Sequence, residues 1–570
     1  MSRPPARRLI ALFVTLAVAF CVIGARLVLL QVHDAQAFAS MGERQRTRMI
    51  PLPAIRGSIL DRYGGEMALS LGARAVYVDP RYVTDPVGEA AEIAPILEMK
   101  PMVVQRLLSS EGGFAYIARQ VDQSVADRVE ALNLPGIDFL PESKRHYPSG
   151  SWGAPQVVGI VGLDDIARGG LELEHDETLA GQDGEQQVEI DPAGRSIPQG
   201  VHVVRPAVPG SDVETTIDPE LQYQAEVALE SAVDGNGAKG GTVVAMDPRT
   251  GEVWALATYY PTGKHRDPAQ DRVTNPAVTN VYEPGSVNKV ITAAAVIDED
   301  KVSLDQVFRV QDQLTVYDYT IHDAEPHAVE RMKLGDIITH SSNVGTILVA
   351  RQLGSDLMAE YLAKFGYGQE TGIGLPGESA GLLPSLYLWS GVSMANLPIG
   401  QGVSVTPLQM VNVYATIANG GVWTQPSLVR GTMGPDGVFN PAPPPETRRV
   451  VSEETAKTVT SMLAHVVTSG TGTAAQIPEY WVAGKTGTGM VPNPDGSGYI
   501  NKYVASFIGF LPASDPRIVI GVVIDEPSTQ IYGGLVAAPV FKQLGMEAIA
   551  RLKIPAGKRP DFPPSAMHEG

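Results

Sequence analysis

From Leu9 to Ala25 the chain carries no charged side chain, and after Arg26 the apolar run resumes with Leu27 to Leu30. In a bilayer such a stretch satisfies its backbone polar groups only as a helix, and about 20 residues suffice to cross. Arg3, Arg7 and Arg8 precede the run and a stretch containing Asp and Glu follows it. That asymmetry puts the amino end inside and the rest outside, with Arg26 snorkelling at the far end. The competing reading is a cleaved signal peptide with Ile23-Gly24-Ala25 as its small-residue site. The run is long for a signal core and continues past that site, so an uncleaved anchor over residues 9–31 is the preferred reading. Cys21 lies inside the run and lacks the small-residue context of a lipoprotein cleavage site.

Composition sets the outer bounds. With 570 residues, 44% hydrophobic and 19% charged, the chain has room for two or three domains with real cores and is not disordered as a whole. A net charge of -19 argues against a nucleic-acid partner, since binding phosphates needs basic surface. The single cysteine excludes an internal disulfide and a cysteine metal site. His322 and His327 flank Asp323 and Glu325, but no HExxH pattern exists and the stretch reads as a polar loop. No metal or cofactor is expected.

After the anchor, Val32 to about Arg48 suits an amphipathic helix. Arg56-Gly57-Ser58-Ile59-Leu60-Asp61-Arg62-Tyr63-Gly64-Gly65 then offers a strand-like core bracketed by charges and closed by a Gly-Gly turn. Its charged residues suit structural ion pairs better than chemistry. Residues 75–215 mix short helices, strands and turns, punctuated by Arg145-His146-Tyr147-Pro148, Gly170-Leu171-Glu172 and Asp191-Pro192-Ala193-Gly194-Arg195. No catalytic set assembles there, so this region reads as a pedestal or interaction domain.

The composition shifts after Pro209-Gly210. Asp218-Pro219-Glu220 caps a helix over about 221–233. Residues 242–246 and 253–257 form a hairpin around Asp247-Pro248-Arg249-Thr250-Gly251. Helical stretches fill much of 330–470. Two buried strands follow over 503–511 and 517–524, then a helix over about 538–551 and a Pro-rich, loose tail from Ile554. Strands at both ends with helices between them predict one antiparallel sheet flanked by helices, in an α+β chain. The expected division is 1–8 cytoplasmic, 9–31 anchor, 32–215 pedestal, 216–553 main domain and 554–570 tail.

Three short motifs carry the chemistry. In Tyr282-Glu283-Pro284-Gly285-Ser286-Val287-Asn288-Lys289, Pro284 and Gly285 make a turn and a helix is predicted to start near Ser286. Ser286 then sits at a helix amino end, and Lys289, three residues on, leaves the same face and can touch it. A hydroxyl beside a lysine amine is one of the few ways to activate serine without histidine. Ser341-Ser342-Asn343 offers a hydroxyl and an amide on alternate residues. Lys485-Thr486-Gly487-Thr488 opens a strand whose small glycines let a substrate backbone join the edge, while the cation attracts a carboxylate. Gly484-Lys485-Thr486 does not end a phosphate-binding loop, because that motif needs glycine where the chain has Glu479.

In this order the three motifs are the signature of penicillin-binding proteins and serine β-lactamases. Arg56-Gly57-Ser58-Ile59-Leu60-Asp61-Arg62 after an anchor, and Tyr532-Gly533-Gly534 before Val536-Ala537-Ala538-Pro539-Val540-Phe541, narrow the match. From Leu9 to about Lys553 the chain resembles the class B, monofunctional penicillin-binding proteins, most closely their septal, cell-division branch. No region before the pedestal is large enough for the glycosyltransferase domain of class A.

That resemblance implies a fold with an elongated mixed pedestal and a transpeptidase domain with a five-stranded antiparallel sheet. It further implies that Ser286 attacks the penultimate D-Ala carbonyl of a stem pentapeptide and that Lys289, if neutral, takes its proton. Ser341 relays a proton to the departing D-Ala, and Asn343 positions Lys289 and the substrate amide. Lys485 supplies positive charge, Thr486 and Thr488 bind the terminal carboxylate beside Gly487, and the N–H groups of Ser286 and Thr488 form the oxyanion hole. Arg56, Gly57, Asp61 and Arg62 are the structural motif. β-Lactams should acylate Ser286. The expected partners are peptidoglycan stem peptides, the membrane, a SEDS-family septal glycosyltransferase and other division proteins.

Asn288 replaces the apolar residue more usual at its place and is expected to affect packing only. Gly489 stands where Ala is common and is expected to add freedom at the strand edge. The alternatives are the elongation transpeptidase of the same class, from which Asn343 argues away because an acidic residue is frequent there, and a non-catalytic scaffold or β-lactam sensor. A sensor would need a cytoplasmic signalling portion, and few residues precede Leu9. A D,D-carboxypeptidase or β-lactamase lacks so large a pedestal.

Overall fold

The computed structural model describes residues 5–33, 35–150, 152–190, 196–261, 273–495 and 498–558. The turn at Asp191–Arg195 and most of the Pro-rich tail lie outside them. The chain divides into two compact units. The smaller comprises residues 1–55, 71–144 and 181–209, and the larger 56–70, 145–180 and 210–570.

In the smaller unit a helix runs over Pro5–Val28, about 36 Å at 1.5 Å per residue, with its leucines, valines and phenylalanines exposed. A second helix covers Ala35–Arg46, shorter than the span to Arg48 because Thr47–Leu52 is a strand. That strand pairs antiparallel with Gly184–Ile190, which in turn pairs with Ser196–Arg205. Apart from this sheet, Val76, Val78, Ile93, Val104, Leu108, Ile117 and Val129 form a small apolar core.

The larger unit is built on one antiparallel sheet of five strands: β1 (Gly240–Met246), β2 (Val253–Tyr259), β3 (Ala483–Pro492), β4 (Tyr499–Leu511) and β5 (Ile518–Asp525). Their spatial order is β2-β1-β5-β4-β3. The predicted hairpin is present, with Val244 opposite Leu256. Both faces are covered, so the strands read as nearly continuous apolar runs, and alternate side chains enter different cores. Val243, Ala245, Phe507, Ile520 and Val522 pack with helices α1 (Pro219–Gly235) and α6 (Ala538–Leu552). Val244, Met246, Ile508, Phe510 and Val519 pack with α2 (Lys289–Asp298), α4 (Pro407–Ala418) and α5 (Glu453–Thr468). A further helix, α3 (Asn343–Leu353), packs on α2.

Local chemistry explains where these helices start. The Asp218 carboxylate accepts from the Leu221 N–H at 3.1 Å, with Pro219 at the first helical position. Thr406 and Gln409 close a reciprocal capping box on α4. Strand β3 lies at the sheet edge, which leaves its outer side to face the segment that carries Ser286.

The charged motif near Arg56 belongs to the larger unit. Arg56 reaches Glu172 at 2.7 Å and Asp176 at 2.6 Å, and Arg145 takes the second oxygen of Glu172 at 2.7 Å. Arg56 and Glu172 are buried and the Arg145 side chain is nearly so, so sequence-distant punctuation forms one ionic knot. Gly57 is glycine by necessity, since a Cβ there would lie 2.1 Å from the Ser211 carbonyl oxygen. Asp61 does not pair with Arg56; its carboxylate accepts from the N–H groups of Tyr63 and Gly65 and closes the turn. Arg62 lies over the Trp254 ring and within 3.5 Å of Glu252.

Candidate active site

The residues Gly285–Asn288 form a 3-10 turn, and the α-helix proper begins at Lys289, three residues later than predicted. In 3-10 geometry residues i and i+3 eclipse, so Ser286 and Lys289 still project from the same side. The Lys289 N–H donates to the Ser286 carbonyl, closing the turn. Gly285 sits at φ 58° and donates its N–H to the Gly400 carbonyl at 3.0 Å. Ser286 is half-buried between neighbours that are all buried.

The Lys289 amine does not spend its hydrogen bonds on Ser286. It donates to the Ser341 carbonyl at 2.6 Å, the Asn343 Oδ1 at 2.7 Å and, less closely, the Ser341 Oγ at 3.3 Å. Among the described residues no hydrogen bond joins it to the Ser286 hydroxyl. Two of the three motifs are nonetheless brought together around one amine, and among the described residues no carboxylate touches it. Burial pushes its pKa down to about 7, against a smaller upward pull from Asp323.

Ser341 and Asn343 are presented by Asp323, a residue that in the sequence reads only as part of a polar loop. Ser342 caps α3 by accepting from the Gly345 N–H, and its hydroxyl donates to Asp323 at 2.7 Å. The other Asp323 oxygen accepts from the N–H groups of Asn343 and Val344 at 2.5 and 3.0 Å. Asn343 also donates its side-chain amide to the His322 carbonyl. Asp323 thus neutralises orphan donors at the amino end of α3, while Ser341, at φ 60°, is held in a left-handed conformation that turns its carbonyl onto Lys289. The polar loop read from His322 to His327 is therefore a helix cap.

The third motif lies on edge strand β3. Lys485 is opposite Ile508 and Thr486 opposite Phe507; Gly487 faces the serine turn, and the Thr486 hydroxyl stays beside the Lys485 amine. Lys485 is buried and, among the described residues, finds only the Thr486 carbonyl and hydroxyl, at 3.3 and 3.4 Å. Burial, then repulsion from Lys289, hold its pKa well below the ordinary lysine value. Thr486 shares a 2.6 Å hydrogen bond with Thr471, and Thr488 accepts from the Gly533 N–H at 3.3 Å. Thr471 was not singled out in sequence, although Gly470-Thr471-Gly472 repeats the small-residue and hydroxyl pattern of Lys485–Thr488.

Glycines let the strand and the serine turn meet. A Cβ on Gly487 would lie 3.1 Å from a Val287 methyl and one on Gly489 would lie 2.5 Å from the Glu283 carbonyl oxygen. Gly489 is therefore a close-approach residue, where its expected contribution was freedom at the edge. Gly533 is pressed as tightly, 2.4 Å from the Gly487 carbonyl oxygen by the same measure. The Glu283 carboxyl accepts from the Gly402 N–H and the Tyr499 hydroxyl, both at 2.9 Å, and burial raises its pKa. Asn288, expected to pack only, makes directional hydrogen bonds inside the core.

Comparison with known proteins places the chain in a family. Residues 241–545 match the family model for the penicillin binding protein transpeptidase domain, and residues 51–215 match that for the penicillin-binding protein dimerisation domain. Penicillin-binding protein PbpB of Mycolicibacterium smegmatis is 36% identical over an alignment covering 95% of this chain and 90% of that protein. Peptidoglycan D,D-transpeptidase FtsI of Escherichia coli is 34% identical, covering 93% and 88%. The crystal structure of penicillin binding protein 3 from Mycobacterium tuberculosis complexed with ampicillin superposes with a TM-score of 0.72 at 34% identity, over 91% of this chain and all of that one. With both domains matched and relatives aligned over nearly its full length, the chain belongs to the class B penicillin-binding proteins, the family of peptidoglycan D,D-transpeptidases.

Proposed function

We propose that this protein is a membrane-anchored D,D-transpeptidase of the division septum that cross-links peptidoglycan stem peptides through a Ser286 acyl-enzyme and is inhibited by β-lactams. The observation that carries the reading is the Lys289 amine: buried, free of carboxylate contacts among the described residues, shifted to a pKa of about 7 and one 3-10 turn from a half-buried serine. A lysine poised near neutrality is a base at physiological pH, where an ordinary one near about 10.4 is not.

In this reading Ser286 Oγ attacks the penultimate D-Ala carbonyl as Lys289 receives its proton. The tetrahedral oxyanion is held by the N–H groups of Ser286 and Thr488, each such donor contributing about 3 kcal/mol. Ser341, whose Oγ is within reach of the amine, passes the proton to the leaving D-Ala as the carbonyl–nitrogen bond breaks. Asn343 keeps the amine in place. The terminal carboxylate sits by Lys485, Thr486 and Thr488, and its arrival favours the charged form of a lysine that burial otherwise disfavours. The amine of a neighbouring stem peptide then attacks the acyl-enzyme, forming the cross-link and freeing Ser286.

The septal role is supported by the likeness to FtsI and by Asn343 at the end of the second motif. The anchor is supported by Ala6–Val32, long and apolar enough to cross a membrane. A SEDS-family glycosyltransferase and other division proteins are the partners this role implies. Incubation with ampicillin should add one drug mass, mapping to the peptide that contains Ser286 and absent from Ser286→Ala. An adduct that persisted in the variant would remove the nucleophile. A fluorescent fusion should gather at the septum; uniform side-wall signal would favour the elongation transpeptidase.

A further inference from the structure

The serine turn is pressed against strand β3 on one side and against a buried polar network on the other. Asn288 is fully buried. Its side-chain amide donates to the Leu397 carbonyl at 2.8 Å and its Oδ1 accepts from the Tyr367 hydroxyl at 2.7 Å. One residue earlier, the Val287 carbonyl accepts from the hydroxyl of Tyr414, a buried residue of α4, at 2.9 Å. The Tyr367 hydroxyl also lies 3.1 Å from the Met410 sulfur, on the same helix. The two residues that follow Ser286 are therefore tied by hydrogen bonds to α4, to the turn at Tyr367 and to the 3-10 helix Leu397–Ile399.

An apolar side chain would fill the place of Asn288 and bury well. Apolar contact is non-directional, however, and lets a turn slide or rotate by fractions of an ångström with little penalty. Hydrogen bonds fix both distance and angle, and inside a core a broken one leaves an unpaired polar group. A polar network is warranted here because the pitch of this turn sets where the Ser286 hydroxyl and N–H stand relative to Lys289 and β3. A misplacement of about 1 Å in a reacting group lowers rates on the order of a hundredfold.

We propose that Asn288, Tyr367 and Tyr414 are positioning residues, a buried lock that sets the pitch of the Ser286 turn for acylation. The inference rests on Ser286 being the nucleophile, as proposed above. All three are fully buried, so the lock acts on the bond-forming step and not on initial binding.

The test separates that step from folding. Tyr414→Phe, Tyr367→Phe, Asn288→Leu and the Asn288→Leu/Tyr367→Phe pair are made in the full chain. Acylation by a fluorescent penicillin is resolved into an initial dissociation constant and a first-order acylation rate, beside Tm. Each single variant should lose about tenfold in acylation rate, the equivalent of one directional hydrogen bond, with the dissociation constant little changed. The pair removes both partners of the Tyr367–Asn288 bond together, so it should recover Tm relative to Asn288→Leu while its acylation rate stays low. Recovery of the rate along with Tm, or unchanged rates in Tyr414→Phe and Tyr367→Phe, would overturn the lock. Wild-type protein that does not label, or Ser286→Ala that does, would instead overturn the nucleophile.

Discussion

Lys289 condenses the chemistry of the site into one titration. Among the described residues its amine has three oxygen acceptors and no carboxylate in contact, so removal from water governs its affinity for protons. A base works unprotonated, so acylation by a β-lactam should rise with pH through about 7 and level off above it. Stopped-flow labelling from acid to mildly alkaline pH checks this, and a flat profile would count against Lys289 as the base. Asp323 pulls the Lys289 pKa upward. Asp323→Asn removes that pull, so the midpoint should move to lower pH while the ceiling rate drops, because the cap that presents Asn343 is weakened. A midpoint that stayed put would mean the two groups are not electrostatically coupled. The same depressed pKa has a stability consequence. The unfolded chain binds the Lys289 proton more tightly than the folded one, so this group disfavours folding most below pH 7 and ceases to do so as pH rises toward the unfolded value.

At the scale of elements, the site is the meeting of a turn, a helix start and a strand edge, each stripped of bulk where it touches the next. Strand β3 approaches the serine segment through Gly487 and Gly489, and the Tyr532-Gly533-Gly534 stretch crosses β3 and β4 through Gly533. Gly489→Ala places a methyl 2.5 Å from the Glu283 carbonyl oxygen, a backbone atom that cannot swing aside. We expect a loss of about 1–3 kcal/mol in stability, typical of overpacking, and slower acylation as the strand moves off the turn. Thermal melting and penicillin labelling measure the two effects, and normal values for both would show that the segment relaxes freely. Helix α3 depends on charge as much as packing, since its first N–H groups are met by an acidic side chain that its dipole favours.

At the scale of the whole molecule, the ionic knot of Arg56, Arg145 and Glu172 draws residues from two sequence-distant segments into the larger unit. Glu172→Ala would leave two buried guanidinium groups facing each other, and breaking a buried pair in this way removes about 3–5 kcal/mol. Urea denaturation should show that loss, and a change below about 1 kcal/mol would mean water or Asp176 compensates. Much of this architecture was legible in the chain. The apolar run beginning at Leu9, the 242–257 hairpin, the helix capped by Asp218 and the two last strands follow from short-range periodicity and capping. The three motifs were legible because their residue types and spacing are local. Asp323, Thr471 and Tyr414 were not, for each acts on a partner brought near only by packing. Nor could spacing show that the Lys289 amine turns to Ser341 and Asn343, or that Gly489 and Asn288 are under steric and hydrogen-bond constraint. The sequence by itself determined which segments are helix, strand or membrane-length helix and which side chains are capable of the chemistry. Tertiary structure alone decided the distances between them, how dry they are and hence the charge they carry, because contacts across the fold and desolvation do not exist until the chain has packed.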